Sequence, residues 1–427
     1  MVTVGLVGAG GRGFRNAKEL MKLDDVRITA IADPAEQWDL SNFYYKGVAG
    51  RKPVAAAVEK HYSTDKQSVR CEQFEDFRKL LSSSSAPDAI LCATPDHLHA
   101  TVSVAAMRAG KHVYCEKPLT HNIAEARLVA KVAKESKVAT QMGNQGHSTD
   151  AIRQTVEWIR AGAIGNVSEV HAWVGATRWN PTLSGRPKDP MPVPKGLNWD
   201  LWLGPRKAVP FHSAYAPVSW RDFWDYGLGA MGDFGCHDMD SAVWALDLPA
   251  PKSVEMFPAG QMNDDIIPFG EVGYFDFEQK NGKPLRLTWY SGGPRPATPA
   301  AMVASGKRLP GRGVMFVGDK GKLLCGGAGG KPVLIQSEPG ADNSPPEPTI
   351  KRSNGHHRDW IDAAKGGPEA SSNFSYGAHL TEITLLGVAA LRERKRILYD
   401  AAKMQITNSE RSDQLIHGDY RNGWELR

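Results

Sequence analysis

The sequence predicts an α/β protein in two parts. A doubly wound parallel sheet occupies residues 1–142, and an α+β region with a mostly antiparallel sheet occupies 143–427. Three observations carry this. Residues 1 to about 140 alternate strand-like and helix-like runs, the pattern of a parallel sheet covered on both faces. The first strand runs straight into a glycine-rich turn. After about residue 145 the strands lengthen and alternate apolar with polar residues, as on a sheet with one covered face.

The elements follow in order. Val2 to Val7 is a short apolar strand ending at glycine, and Arg12 to Leu23 places Phe14, Ala17, Leu20 and Met21 at helical spacing. Arg27 to Ala32 is the second strand, closed by Asp33-Pro34. Glu36 to Tyr62 is longer than a usual connection and reads as an inserted helix. Asp88 to Ala93, Lys111 to Cys115 and Val138 to Met142 are further buried strands; Leu98 to Ala109 and Asn122 to Ser136 are the helices between them. Beyond them, a helix over Ala151 to Ala161 leads into strands Val167 to Val174, Glu271 to Phe277 and Leu285 to Tyr290. Ser291 to Gly313, rich in Gly, Pro and basic residues, reads as a long loop and a candidate lid. Gln336 to Ser353 reads as a second such loop, and helices return at His357 to Ala364 and Gly377 to Arg392.

Composition narrows the function classes. Of 427 residues, 41% are hydrophobic and 23% charged, ordinary values for a globular chain. A net charge of +5 is too weak and too dispersed to indicate nucleic-acid binding. No apolar run is long enough for a membrane span, so no membrane partner is expected. The five cysteines are scattered and include no Cys-x-x-Cys pair, which excludes a disulfide frame and a zinc ribbon. They suit a reducing compartment, and the chain opens on a strand rather than a signal peptide. A cytoplasmic location is expected; a periplasmic one would require an export signal removed upstream.

Gly8-Ala9-Gly10-Gly11-Arg12-Gly13 matches the dinucleotide fingerprint G-x-G-x-x-G and sits between strand and helix, the context the motif requires. Gly8 permits the tight turn, and Gly10 lets the backbone approach a pyrophosphate on the helix N-terminus. Asp33 ends the second strand 20 residues past Gly13. A carboxylate there accepts ribose hydroxyls and repels a 2′-phosphate, which favours NAD over NADP. Arg12 pulls the other way, since a guanidinium tolerates a phosphate.

Four further segments could carry chemistry. Thr94-Pro95-Asp96-His97-Leu98-His99 follows a strand at the carboxyl edge of the sheet: Thr94 and Pro95 could line the nicotinamide half, while His97 and His99 either reach a substrate or flank a helix capped by Asp96. Glu116-Lys117-Pro118 ends another strand at the same edge, placing a lysine where hydride chemistry takes place. Asp233 and His237 share one helix face, so the carboxylate could orient the imidazole as a proton acceptor, or both could point into one cleft. Lys117 is the other base, its pKa lowered by the positive nicotinamide ring. Trp220-Arg221-Asp222-Phe223-Trp224-Asp225-Tyr226 offers ring faces and polar groups to a sugar, or is an aromatic core segment. No spacing among His97, His99, Asp233, Cys236 and His237 matches a dedicated metal motif, and no metal is expected. No G-x-S-x-G elbow supports a serine hydrolase.

Together Gly8 to Gly13, Ala93 to His99, Glu116-Lys117-Pro118, Gly143-Asn144-Gln145 and Asp233 with His237 resemble the Gfo/Idh/MocA family, and the resemblance covers nearly the whole chain. It implies an N-terminal Rossmann domain, a C-terminal domain with a large open sheet, and an active site between them. It implies NAD(P)-linked oxidation or reduction of a sugar, glycoside or cyclitol. It places Lys117 at the reacting hydroxyl, Asp233 and His237 in substrate binding and proton transfer, and Glu116 and Asn144 near cofactor and cleft. Some members resemble glycosidases that use tightly held NAD, oxidising a sugar hydroxyl transiently, eliminating the aglycone, adding water and returning the hydride. A non-catalytic NAD- or sugar-binding regulator is the third reading; it would not need to keep a proton-transfer set. An open sheet with one uncovered face further implies a homo-oligomer, a dimer or tetramer.

Overall fold

The structure, a computed structural model, describes residues 1–336 and 344–426. Among these, the N-terminal half contains β1 (Val2–Val7), α1 (Gly11–Leu20), β2 (Val26–Ala32), β3 (Trp38–Asp39), β4 (Val48–Ala49), α2 (Arg51–Tyr62), β5 (Glu72–Phe74), α3 (Phe77–Leu81), β6 (Ala89–Cys92), α4 (His99–Arg108), β7 (His112–Cys115), α5 (Ile123–Ser136) and β8 (Thr140–Met142). Six strands form a parallel sheet in the order β5-β2-β1-β6-β7-β8. Every residue of β6 is buried, because helices cover both faces of the sheet. Asn122 starts α5 through a capping box: its side chain accepts from the Glu125 N–H, and the Glu125 carboxylate accepts from the Asn122 N–H.

The expected helix over Glu36 to Tyr62 is a helix only from Arg51. The stretch before it is an antiparallel hairpin, β3 against β4. Gly47 and Gly50, both at positive φ, break any helical run there.

The second half contains α6 (Asp150–Arg160), β9 (Val167–Trp173), α7 (Trp199–Leu203), α8 (Gly229–Asp238), α9 (Asp240–Leu246), β10 (Ser253–Ala259), β11 (Gly270–Glu278), β12 (Pro284–Tyr290), α10 (Ala300–Ala304), β13 (Gly313–Gly318), β14 (Gly321–Gly326), β15 (Pro332–Gln336), α11 (His356–Ala364), α12 (Phe374–Glu393), β16 (Ile397–Asp400), β17 (Gln405–Ile406) and α13 (Ser412–Ile416). A nine-stranded sheet runs β15-β14-β13-β9-β12-β11-β10-β16-β17, antiparallel except between β12 and β9. In β11 the alternation is plain: Gly273, Phe275 and Phe277 are buried, while Val272, Tyr274 and Asp276 are partly exposed.

The loop over Ser291 to Gly313 does not lie across a cleft as a lid. Met302 and Leu309 pack with Trp173, Met315 and Leu324 on the sheet, and the Trp173 indole donates to the Pro310 carbonyl at 2.8 Å. Apolar residues hidden in a Gly- and Pro-rich stretch fasten it there. Of the loop predicted over Gln336 to Ser353, residues 337–343 lie outside the described residues.

Helix α12 joins the halves. It packs against α5 and β8 on one side and α8 and β10 on the other, so nearly all of its residues are buried. One apolar cluster accordingly extends from Val7 and Cys115 through Met142 to Leu380, Phe275 and Trp289. Helix α11 packs on the N-terminal half, its Trp360 and Ile361 buried with residues of β1, β2 and β6. Arg358 and Lys365 pair there with Asp25. No helix of the described residues is long and apolar enough to cross a membrane.

Candidate active site between the two sheets

A cleft of about 540 Å³ opens at the carboxyl edge of the parallel sheet, where α8 of the second half faces β1, β6 and β7. Gly8 has φ +87°, and a Cβ there would lie 2.7 Å from the backbone of Ala93 and Thr94. A Cβ on Gly13 would lie 1.9 Å from the Gly8 carbonyl, so the helix can meet the turn only with glycine at this position. Around Gly10 a Cβ would meet nothing within 4 Å, which leaves its backbone open to a pyrophosphate. The turn thus fits a dinucleotide on the N-terminus of α1.

Asp33 lines the same cleft. One carboxylate oxygen accepts from the Ala9 N–H at 2.7 Å and the other from the Ala35 N–H at 2.8 Å. Burial pushes its pKa up to about 6 against the pull of those two N–H groups. A carboxylate has about four acceptor positions, so both oxygens retain capacity for ribose hydroxyls. Arg12 also lines the cleft, with its Nε donating to Glu116 at 3.0 Å. The same Glu116 oxygen accepts from Asn16 at 2.8 Å and Gln145 at 2.9 Å, which fixes the carboxylate on the cleft wall.

Lys117 leaves the end of β7 and crosses to α8. Its Nζ donates to Asp233 Oδ1 at 2.9 Å and to the Asp233 carbonyl at 2.8 Å. The other Asp233 oxygen lies 3.0 Å from Arg221 Nε. Burial alone would raise the Asp233 carboxyl; Lys117 and Arg221 overcome it and hold the group below the usual carboxylate range. Helix α8 presents Asp233 here because its back is glycine: a Cβ on Gly235 would lie 2.6 Å from Thr384 of α12.

His237 lines the cleft one turn beyond Asp233, but the expected bond between them is absent. Lys117 and Arg221 occupy the carboxylate instead, and the His237 Nδ1 is buried without a partner among the described residues. Burial first, then the charges of Lys117 and Arg312, push the imidazole pKa well below its ordinary value. It is a neutral ring, the form that can take a proton.

The other expected residues divide. Thr94, Pro95, His99, Trp220 and Arg221 line the cleft. His99, however, places Nδ1 2.7 Å from the Pro118 carbonyl and Nε2 2.9 Å from the Thr94 carbonyl; burial lowers its pKa, and the neutral ring donates to one of the two, so its nitrogens face backbone rather than the cleft. His97 does not reach the cleft wall. It is fully buried between Trp202 and Tyr226, with Nε2 donating to the Trp202 carbonyl. Asn144 is likewise fully buried, donating to Asp240 at 3.0 Å and accepting from Ser372. Its neighbour Gln145 lines the cleft instead. In the Trp-rich segment, Phe223, Tyr226 and Trp220 are all core residues with Trp199 and Trp202; Trp220 in addition borders the cleft, with the Arg221 guanidinium 4.0 Å over its ring.

Sequence reasoning missed two groups. Asp96 makes no capping bond; it is 3% exposed and lines the cleft. Burial, reinforced by the charge of Asp233, pushes its carboxyl up to about 8. Its position straight after a parallel strand was the available signal. Arg312, at the end of the Gly- and Pro-rich loop, lines the cleft while its Nε donates to the buried Asp238 at 2.9 Å. No local signal in the sequence marks it. Cys92, His99 and Cys115 bring potential ligand atoms within 4.8 Å of one another, but both His99 nitrogens already meet carbonyls.

Comparison with known proteins bears on the family and the fold. Residues 2–144 match the Gfo/Idh/MocA description "Oxidoreductase family, NAD-binding Rossmann fold", and residues 151–279 match "Oxidoreductase family, C-terminal alpha/beta domain". The chain is 36% identical over 155 residues to levoglucosan dehydrogenase of Pseudarthrobacter phenanthrenivorans, covering 36% of this chain and 32% of that protein. It is 26% identical over 183 residues to glycosyl hydrolase family 109 protein 1 of Shewanella sp. strain MR-4, covering 42% and 36%. These matches therefore span less than half the length of each relative. Among solved structures, the WlbA dehydrogenase from Bordetella pertussis in complex with NADH and UDP-GlcNAcA superposes with a TM-score of 0.62 at 18% identity, covering 93% of this chain and 99% of that one. Levoglucosan dehydrogenase in complex with NADH and L-sorbose superposes with a TM-score of 0.58 at 17% identity, with the same coverage. At these identities the likeness is one of fold.

Proposed function

The chain belongs to the Gfo/Idh/MocA oxidoreductase family, with its NAD-binding Rossmann domain and C-terminal α/β domain; from that premise we propose that it oxidises a secondary hydroxyl of a sugar, glycoside or cyclitol with NAD. The observation that carries the reading is Lys117, held 2.9 Å from Asp233 across the two halves, beside the glycine turn. When bound, the nicotinamide supplies the hydride acceptor. Asp233 and Arg221 fix the Lys117 ammonium where it can hold a substrate hydroxyl by a charge-assisted hydrogen bond. His237, neutral and unpartnered at Nδ1, receives the hydroxyl proton. Trp220, with Arg221 over its ring, forms part of the cleft wall that the sugar would meet. NAD is favoured over NADP because Asp33 lines the cleft where the ribose of a dinucleotide on the glycine turn would lie. A homo-oligomer, dimer or tetramer, is proposed through the uncovered sheet, whose strands expose Phe257, Val333 and Leu398.

A second reading, a glycosidase using transient oxidation, is favoured by Asp96. A carboxyl that keeps its proton to about pH 8 beside Asp233 is suited to protonate a leaving group. One assay separates the two. The protein is incubated with NAD and a panel of free sugars, cyclitols and nitrophenyl glycosides, while NADH and nitrophenol are followed together. Stoichiometric NADH supports the dehydrogenase; nitrophenol without net NADH supports the glycosidase. Neither product from any member of the panel contradicts both.

A further inference from the structure

A second cavity, of about 310 Å³, opens beside the first across a shared wall of Trp179, Arg221, Asp233 and Phe234. It lies on the far side of Asp233 from the glycine turn, so a group entering it belongs to the substrate rather than to the dinucleotide. The walls that are its own are chiefly apolar: Ala176, Gly229, Ala230 and Ile267.

The polar side chains that are its own, Asp222, Arg178 and Thr177, are bonded within the protein. Asp222 is fully buried, and its two oxygens accept from the N–H groups of Trp179 at 2.8 Å and Asn180 at 2.7 Å. The Arg178 guanidinium donates to the carbonyls of Asn180, Pro181, Gln261 and Ile267. Thr177 donates to the Arg178 carbonyl. A second sugar ring needs donors and acceptors around its equator; Asp222 and Arg178, 0% and 4% exposed, present little of theirs to the chamber, so its hydroxyls would be poorly compensated there. An apolar ring loses nothing on entry and gains burial against Trp179, Phe234 and Ile267.

We propose that this side chamber is the subsite for an apolar, preferably aromatic, aglycone, so that the substrate is a glycoside whose sugar meets Lys117 while its aglycone passes Asp233 into the chamber. The proposal rests on the reading of the Lys117 cleft as a sugar site. Ala230 and Ile267 line only the chamber and provide the means to fill it.

The test compares the NAD-loaded wild type with Ala230→Phe and, separately, Ile267→Phe, each first checked by thermal melting. Binding of para-nitrophenol is measured by ligand-observed NMR. For any sugar the protein turns over, kcat/KM is compared among its nitrophenyl glycoside, its methyl glycoside and a disaccharide. Para-nitrophenol is expected to bind the wild type and to lose about tenfold or more in a filled, folded variant. The preference for nitrophenyl over methyl glycoside collapses in the same variant. Equal binding of para-nitrophenol to wild type and filled variants overturns the proposal, as does a disaccharide gaining as much as the nitrophenyl glycoside. If no sugar is turned over, the sugar-site reading fails, while the para-nitrophenol comparison still decides the chamber.

Discussion

Replacing Lys117 by Met removes one charge from a buried cluster of three, and the structure fixes what that costs. The Lys117–Asp233 contact is 2.9 Å, with side chains only 15% and 14% exposed. At an effective dielectric of about 20, that separation gives an attraction of roughly 6 kcal/mol, most of which desolvation of the two ends takes back. Asp233 still keeps Arg221 at 3.0 Å, so Lys117→Met strands no anion. The predicted loss of stability is about 1–2 kcal/mol, a melting point lowered by a few degrees. Asp233→Asn is different: it leaves the Lys117 and Arg221 cations with only Asp96, whose buried carboxyl must ionise to answer them, and about 3–5 kcal/mol should be lost. Urea unfolding of the two variants beside wild type reads this order. Turnover separates them again, because Lys117→Met folds, retains NADH binding by fluorescence titration, and loses about a thousandfold in kcat/KM. Lys117→Met being the less stable of the two, or keeping more than about a tenth of wild-type turnover, refutes the reasoning.

Three further outcomes are expected. Asp33→Ser removes the anion at the ribose end and should lower the ratio of kcat/KM with NAD to that with NADP by about tenfold or more; an unchanged ratio places discrimination elsewhere. Asp96 is raised to about 8 from an ordinary value of 3.8, so the folded state favours its protonated form. The stability it lends is complete below the ordinary carboxyl range and is lost as pH rises through about 8. Wild type should therefore lose melting temperature relative to Asp96→Asn between about pH 5 and pH 9, and a constant difference across that range contradicts the assignment. Trp360, fully buried where α11 meets the N-terminal half, should cost about 3–5 kcal/mol when replaced by Ala, read by chemical denaturation.

Much of this was legible in the sequence where the signal was local. Strand, glycine turn and helix follow one another within a few residues, and β6 and β7 read as fully buried runs. Lys117, Asp233 and His237 were recognisable as a set, and the structure brings all three to one cleft. Their wiring was not legible. Spacing on α8 pairs Asp233 with His237, yet the carboxylate answers to Lys117 and Arg221, which come from distant segments and bring stronger charges. Asn144 and His97 lie in the right loops but turn inward, to Asp240 and to the Trp202 carbonyl, because buried polar groups take whichever partner the packing supplies. The strands β13 and β14 leave only four residues each between their terminal glycines, too short a run to show a period, and Arg312 sits just before them at the end of a loop.

The central claim is that hydride passes from a sugar carbon to nicotinamide in the cleft closed by Lys117 and Asp233. Sugars and glycosides deuterated at their ring carbons, incubated with the protein and NAD and quenched within a turnover, test it by mass spectrometry of the cofactor. Deuterium in NADH with the wild type, and none with Lys117→Met, is the predicted result. Product formed while the cofactor carries no deuterium would contradict it.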